Sequence, residues 1–78
     1  MTAMTNVDRI RQSSRVHGWN VHGSDELVIT RHEPVPHRVD VHFGSRGQVT
    51  YCALDGRQYV GNRRVAEVLI WLQDGSEV

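Results

Sequence analysis

At 78 residues, zero net charge, one cysteine and a hydrophobic fraction of 38%, the chain has room for one domain, and its composition is that of a globular protein rather than a disordered one. The lone cysteine, Cys52, excludes an internal disulfide scaffold, and the longest apolar run, Val68-Leu69-Ile70-Trp71-Leu72, falls far short of the roughly 18 residues of a membrane span. Charge balance speaks against a general nucleic-acid binder, because phosphate attraction supplies nearly all non-specific affinity.

A domain of this size buries only about 60% of the surface its unfolded chain exposes and commonly leans on a staple or a partner. With no staple available, a partner protein or a second copy is expected. The segment Met1–Asn6 has neither the charged nor the apolar region of a signal peptide, which makes the chain an expected cytoplasmic protein without a membrane partner. Residues 1–5 read as a loose tail, with Met4 an alternative start. Residues 6–75 form a single domain and 76–78 a second tail. All nine basic residues are arginine, as codon bias in a GC-rich genome would produce.

The first predicted element is a helix over 6–17. Thr5 or Asn6 caps it, Asp8 suits its first turn and Gly18 ends it. Its apolar stripe is thin, with Val7 and Ile10 joined by His17 and by Ser14 between them. Trp19-Asn20-Val21-His22 is an extended stretch, Gly23-Ser24-Asp25 a turn and Leu27–Arg31 a strand; either Leu27–Arg31 or Arg57–Val60 is expected to offer an exposed sheet edge for pairing between chains. Pro34 and Pro36 then mark a loop. In Arg38–Phe43, Val39, Val41 and Phe43 share one face and Arg38, Asp40 and His42 the other, the alternation of a half-buried antiparallel strand. Gly44-Ser45-Arg46-Gly47 turns the chain into Gln48–Leu54, where Val49, Tyr51 and Ala53 are expected to point inward. Asp55-Gly56 predicts a type I′ hairpin and a short further strand at Arg57–Val60. The last helix spans 62–73, capped by Asn62, with Val65, Val68, Leu69 and Leu72 facing the sheet. The expected fold is α+β, in the order α-β-β-β-(β)-α, a small antiparallel sheet with helices on one face.

On the last helix Ile70 and Trp71 fall on opposite flanks of the core stripe, roughly 140° and 120° from its centre. A small sheet hardly covers both, so Arg64, Ile70 and Trp71 are the expected protein interface, through which the chain associates with itself or binds a partner. The bland alternative is that the first helix packs beside the last and covers one of the pair. No metal or other cofactor is expected. The histidines His32, His37 and His42 recur every five residues, which fits neither a strand face nor a helix face, and no Cys-x-x-Cys or His-x-x-x-His pattern occurs. Cys52 has the chemistry of a nucleophile, with His42 as a base within reach of a neighbouring strand, but a lone thiol on a strand is usually apolar filling, so no enzymatic activity is expected. Arg57, Arg63 and Arg64 cluster without an intervening acid. At the start of a helix arginines oppose its dipole; a phosphate would offset them, as would Asp55 or the acidic tail (Asp74, Glu77) of a neighbouring molecule, and the bland alternative is a solvated edge.

Helix, antiparallel strands and helix, with Pro36-His37 before the strand Arg38–Phe43 and Arg63-Arg64 opening the last helix, resembles the order of elements in double-stranded-RNA-binding domains. The resemblance implies a second function, binding of double-stranded RNA or DNA through Arg9, Arg15, Arg63 and Arg64 of the two helices. That family's helix start is lysine-rich and glycine-preceded, whereas here Asp55-Gly56 and a further strand intervene. In its lysine-free texture the stretch "VHFGSRGQVTYCALDGRQYVGNRRVAEVLIWL" is similar to short uncharacterised proteins of actinobacteria and their phages, which implies a small accessory protein acting on a host protein.

Overall fold

The computed structural model describes residues 4–33 and 35–74. The first three residues, Pro34 and the stretch 75–78 with Glu77 lie outside the described residues. Helix α1 (Asn6–Val16) starts where Thr5 offers its hydroxyl to the N–H of Asp8 at 3.1 Å. It ends in a Schellman motif. Gly18, at φ +78°, donates to Arg15 O, and the N–H of Trp19 donates to Ser14 O at 2.8 Å, a left-handed turn that a glycine makes without Cβ strain.

Five strands follow in a continuous antiparallel meander: β1 (Asn20–His22), β2 (Glu26–Arg31), β3 (His37–Phe43), β4 (Val49–Leu54) and β5 (Arg57–Gln58), neighbours in space in that order. The extended stretch before Gly23 thus forms a strand of its own and makes Leu27–Arg31 interior, while the other expected edge is found at β5, over Arg57–Gln58. Asp55 and Gly56 both take positive φ, 51° and 85°, as a type I′ turn requires. Helix α2 (Arg64–Asp74) closes the chain. It begins two residues later than the asparagine cap predicted for it, with Arg63 in the capping position and no capping oxygen on that side chain.

Cross-strand register places Val21, Ile29, Val39 and Leu54 in one row, and Leu27, Val41 and Cys52 in the next. These rows meet Ile10 of α1 and Val68 and Leu72 of α2 to form the core. The inward set expected in β4 is corrected by a bulge. Phe43 pairs with Val49 and His42 with Tyr51, which leaves Thr50 unpaired and reverses the alternation beyond it. Val49 is inward as expected, then Cys52 and Leu54; Tyr51 and Ala53 share the face of His42 and Asp40, where Ala53 is nonetheless fully buried.

The helices lie side by side and run in the same direction. Asn6, at the start of α1, and Asn62–Ala66, at the start of α2, line one cleft. At the other end Trp19, just past α1, donates its indole N–H to Leu72 O in the last turn of α2 at 2.9 Å.

Candidate functional site: the two-helix face

The face of the molecule formed by α1 and α2 carries the apolar surface that the core leaves over. In α1 the positions Arg9, Gln12, Ser13 and Val16 follow helical spacing away from the core residues Ile10 and Ser14, and they form one wall of a groove. Leu69 and Gln73 of α2 form the other, Met4 and His17 complete it, and its volume is about 410 Å3. Beside it on α2, Arg63, Ala66 and Ile70 make an exposed stripe at i, i+3 and i+7. Val16 is 72% exposed, Met4 49% and Ile70 48%. The apolar groove residues Met4, Val16 and Leu69 are framed by Arg9, Gln12 and Gln73, the layout of an interface core and its rim.

Of the residues predicted for a protein interface, the structure places Ile70 on this face and the other two elsewhere. Trp71 is half-buried on the opposite flank of α2, where its ring meets Tyr59 edge-on at 6.3 Å. Tyr59 belongs to the segment joining β5 to α2, so it is this connection, rather than the first helix, that partly covers the tryptophan. Arg64 is half-buried on the same flank, close enough to Cys52 to influence its thiol. Val16, Met4 and Leu69 are the groove residues that sequence reasoning passed over. A signal existed for Val16, a valine on the polar flank of a thin amphipathic helix.

The arginines predicted for nucleic-acid binding do not form one surface. Arg63 and Arg64 stand together in a cleft of about 390 Å3 at the start of α2, with Asn6, Gln48, Asn62 and Val49 around them. Arg9 is one turn into α1 on the groove, and Arg15 is exposed near the opposite end of that helix.

Beyond the ends of the helices a row of side chains crosses the sheet. Arg31 lies over the Trp19 ring with Cζ 5.2 Å from its centroid and donates to His17 O, the last turn's carbonyl of α1, at 2.8 Å. His37 pairs with Arg31 in register, sits 6.4 Å from the Trp19 ring centre, and donates Nδ1–H to Asp55 Oδ2 at 2.8 Å. Donation in that sense follows from the carboxylate being an acceptor. Asp55 Oδ1 accepts the N–H of Arg38, also at 2.8 Å. Partial burial works against ionisation of Asp55, but the hydrogen bonds from His37 and Arg38 and the charges of His37 and Arg57 outweigh it and hold the carboxyl below its usual range. Arg31 Nη1 and His37 Nε2 are buried with no hydrogen-bond partner. This row closes one end of the core rather than opening a pocket.

Cys52 is fully buried, and His42 pairs with Tyr51 on the other face of the sheet, their rings 4.8 Å apart. The base expected near the thiol is therefore separated from it by the sheet. Burial pushes the Cys52 thiol up; Arg64 lowers it and Glu67 raises it by smaller amounts. A nucleophile needs the opposite shift. Among the described residues no group of three or more His, Cys, Asp or Glu side chains is placed to hold a metal ion, and no helix is long and apolar enough to cross a membrane.

In comparisons with protein families, with curated proteins and with solved structures, no match to this chain was found.

Proposed function

We propose that this chain is a non-enzymatic protein-interaction module and that the face formed by α1 and α2 is its working surface. The observation that carries this reading is the groove between α1 and α2 lined by Met4, Val16 and Leu69, with Ile70 exposed on the stripe of α2 beside it; Val16, Met4 and Ile70 are each about half exposed or more. Burial of such side chains is worth on the order of 1–2 kcal/mol apiece when half their surface is still in water. Scattered apolar residues carry no such meaning; a contiguous set with a polar rim does.

The test compares proteins captured from a lysate of the source organism by the wild type, by Val16→Asp/Ile70→Asp, and by His22→Ala on the helix-free face. Circular dichroism shows that each variant is folded. A partner lost with the double substitution and kept with His22→Ala supports the reading. A partner that survives the double substitution, or depends on His22, overturns it.

A second reading, binding of double-stranded RNA or DNA, draws on the cleft holding Arg63 and Arg64, whose lining contains no carboxylate. Binding there would weaken steeply as salt rises. Arg63→Ala/Arg64→Ala would abolish it, whereas Val16→Asp/Ile70→Asp would leave it unchanged.

A further inference from the structure

We infer that Asp55 is a site of spontaneous backbone isomerisation, and that His37 and Arg38 at the start of β3 keep the reaction closed in the folded protein. The reactive pair, Asp55-Gly56, is local; the control over it comes from another strand.

An aspartate followed by glycine can close on itself, because a residue without a Cβ leaves its amide nitrogen unhindered. The Gly56 nitrogen bonds to Asp55 Cγ, the bond from Cγ to one carboxyl oxygen breaks, and that oxygen leaves as water with its own proton and the amide's. A second water opens the five-membered succinimide. Opening at the main-chain carbonyl routes the backbone through Cβ and Cγ, and the product is isoaspartate. Only water is exchanged. The tip of the turn is accessible to this chemistry: Gly56 is exposed with nothing within 4 Å of where a Cβ would stand, and the Asp55 side chain is 44% exposed.

The departing oxygen must carry a proton, so ring closure runs through the neutral acid. In the fold each oxygen is already committed to a donor. Oδ2 accepts Nδ1–H of His37 and Oδ1 accepts the N–H of Arg38, both at 2.8 Å. Hydrogen bonds to the charged form keep a carboxyl ionised, and a carboxylate carbon is a poor electrophile. Partial burial works the other way, but these bonds and the charges of His37 and Arg57 hold the group below its usual range. Asp55 also donates its own N–H to Arg38 O at 2.7 Å, so main chain and side chain are both tied to Arg38.

The product does not fit this hairpin. Asp55-Gly56 is a two-residue turn between Leu54 and Arg57, which pair in register, and such a turn has no place for a further backbone atom. Just beyond it Tyr59 donates its N–H to Cys52 O at 2.9 Å and covers Trp71. Isoaspartate at position 55 therefore loosens β5 and uncovers Trp71.

The experiment ages the purified protein at neutral pH, at a temperature well below unfolding, and measures isoaspartate at position 55 by peptide mapping with mass spectrometry. The wild type, His37→Ala and Val68→Ala are compared, each folded and in urea. Val68→Ala weakens the buried face of α2 without touching the turn. Asp74-Gly75, the same dipeptide, is the reference for ageing in every sample. Folded wild type is expected to convert many-fold more slowly at position 55 than in urea. His37→Ala should convert several-fold faster than the wild type when folded and at the same rate in urea, while Val68→Ala keeps the wild-type rate. In the Trp19→Phe background the converted fraction should show Trp71 emission at longer wavelength. Folded His37→Ala converting at the wild-type rate, or Val68→Ala accelerating as much, overturns the control by β3. Folded wild type converting as fast as in urea overturns the protection itself, and converted protein with unshifted emission overturns the link to Trp71.

Discussion

The indole N–H of Trp19 donates to the carbonyl oxygen of Leu72 across 53 positions of chain, at 2.9 Å and out of water. Trp19 follows α1 directly and Leu72 is in the last turn of α2, so one bond fastens both helices at the same end and satisfies a carbonyl that the helix itself leaves without a donor. Arg31 above the ring does the same for α1 through His17 O. The bond holds the two helices together at the end of the groove that Val16, His17 and Gln73 line.

Trp19→Phe keeps a ring in the core and removes the donor. The buried carbonyl is then unpaired, which costs about 1–3 kcal/mol. For a domain of this size each kilocalorie is worth roughly 4–8 °C. Thermal unfolding followed by circular dichroism should show a drop in that range, and an unchanged melting temperature would dismiss the bond as a stabilising contact.

Asp55 links stability to pH. Its folded carboxyl titrates below the ordinary value of 3.8 because the hydrogen bonds and positive charges around it outweigh its partial burial. A depressed carboxylate contributes stability that is present above the unfolded value and disappears as pH falls through the folded one. The advantage of the wild type over Asp55→Asn is therefore expected to be steady from pH 7 to 5 and to shrink below about pH 4. Urea unfolding at pH 6, 4 and 3 measures it; a difference that grows on acidification would refute the assignment.

Cys52 is buried between β4 and α2, and its thiol is pushed up chiefly by that burial. Reaction with a disulfide reagent at pH 8 should be slow in the native protein and complete within seconds in urea. Its rate should follow unfolding. Rapid stoichiometric labelling of the folded protein would mean that the core opens at this point.

Tyr59 covers Trp71, and its removal should be legible in fluorescence. Tyr59→Ala loses an edge-to-face contact worth about 0.5–1.5 kcal/mol beyond its buried area and wets the indole. The emission of Trp71, isolated in the Trp19→Phe background, is expected to shift to longer wavelength. No shift would place the cover elsewhere.

Most of the elements are written locally. The alternation of Val39, Val41 and Phe43 against Arg38, Asp40 and His42 identifies β3 without help from the rest of the chain, because strand geometry imposes a period of two. Asp55-Gly56 likewise specifies its own turn, since both residues tolerate positive φ. Thr5 and Gly18 bound α1 through bonds made within a few residues.

Where a feature depends on the partner strand or on a distant side chain, local pattern does not reach it. The bulge at Thr50 turns Cys52 inward and Tyr51 outward, and it exists only in the pairing of β4 with β3. Helical periodicity sets Ile70 and Trp71 apart from the core stripe equally well. Their different fates arise because Tyr59 stands over the flank that carries Trp71, while Ile70 lies on the exposed stripe with Arg63 and Ala66 that no other element covers among the described residues. Sequence alone determines which residues α2 cannot bury against a sheet; the tertiary structure decides which of them stay exposed, because covering a side chain is a long-range act of packing that no local spacing encodes.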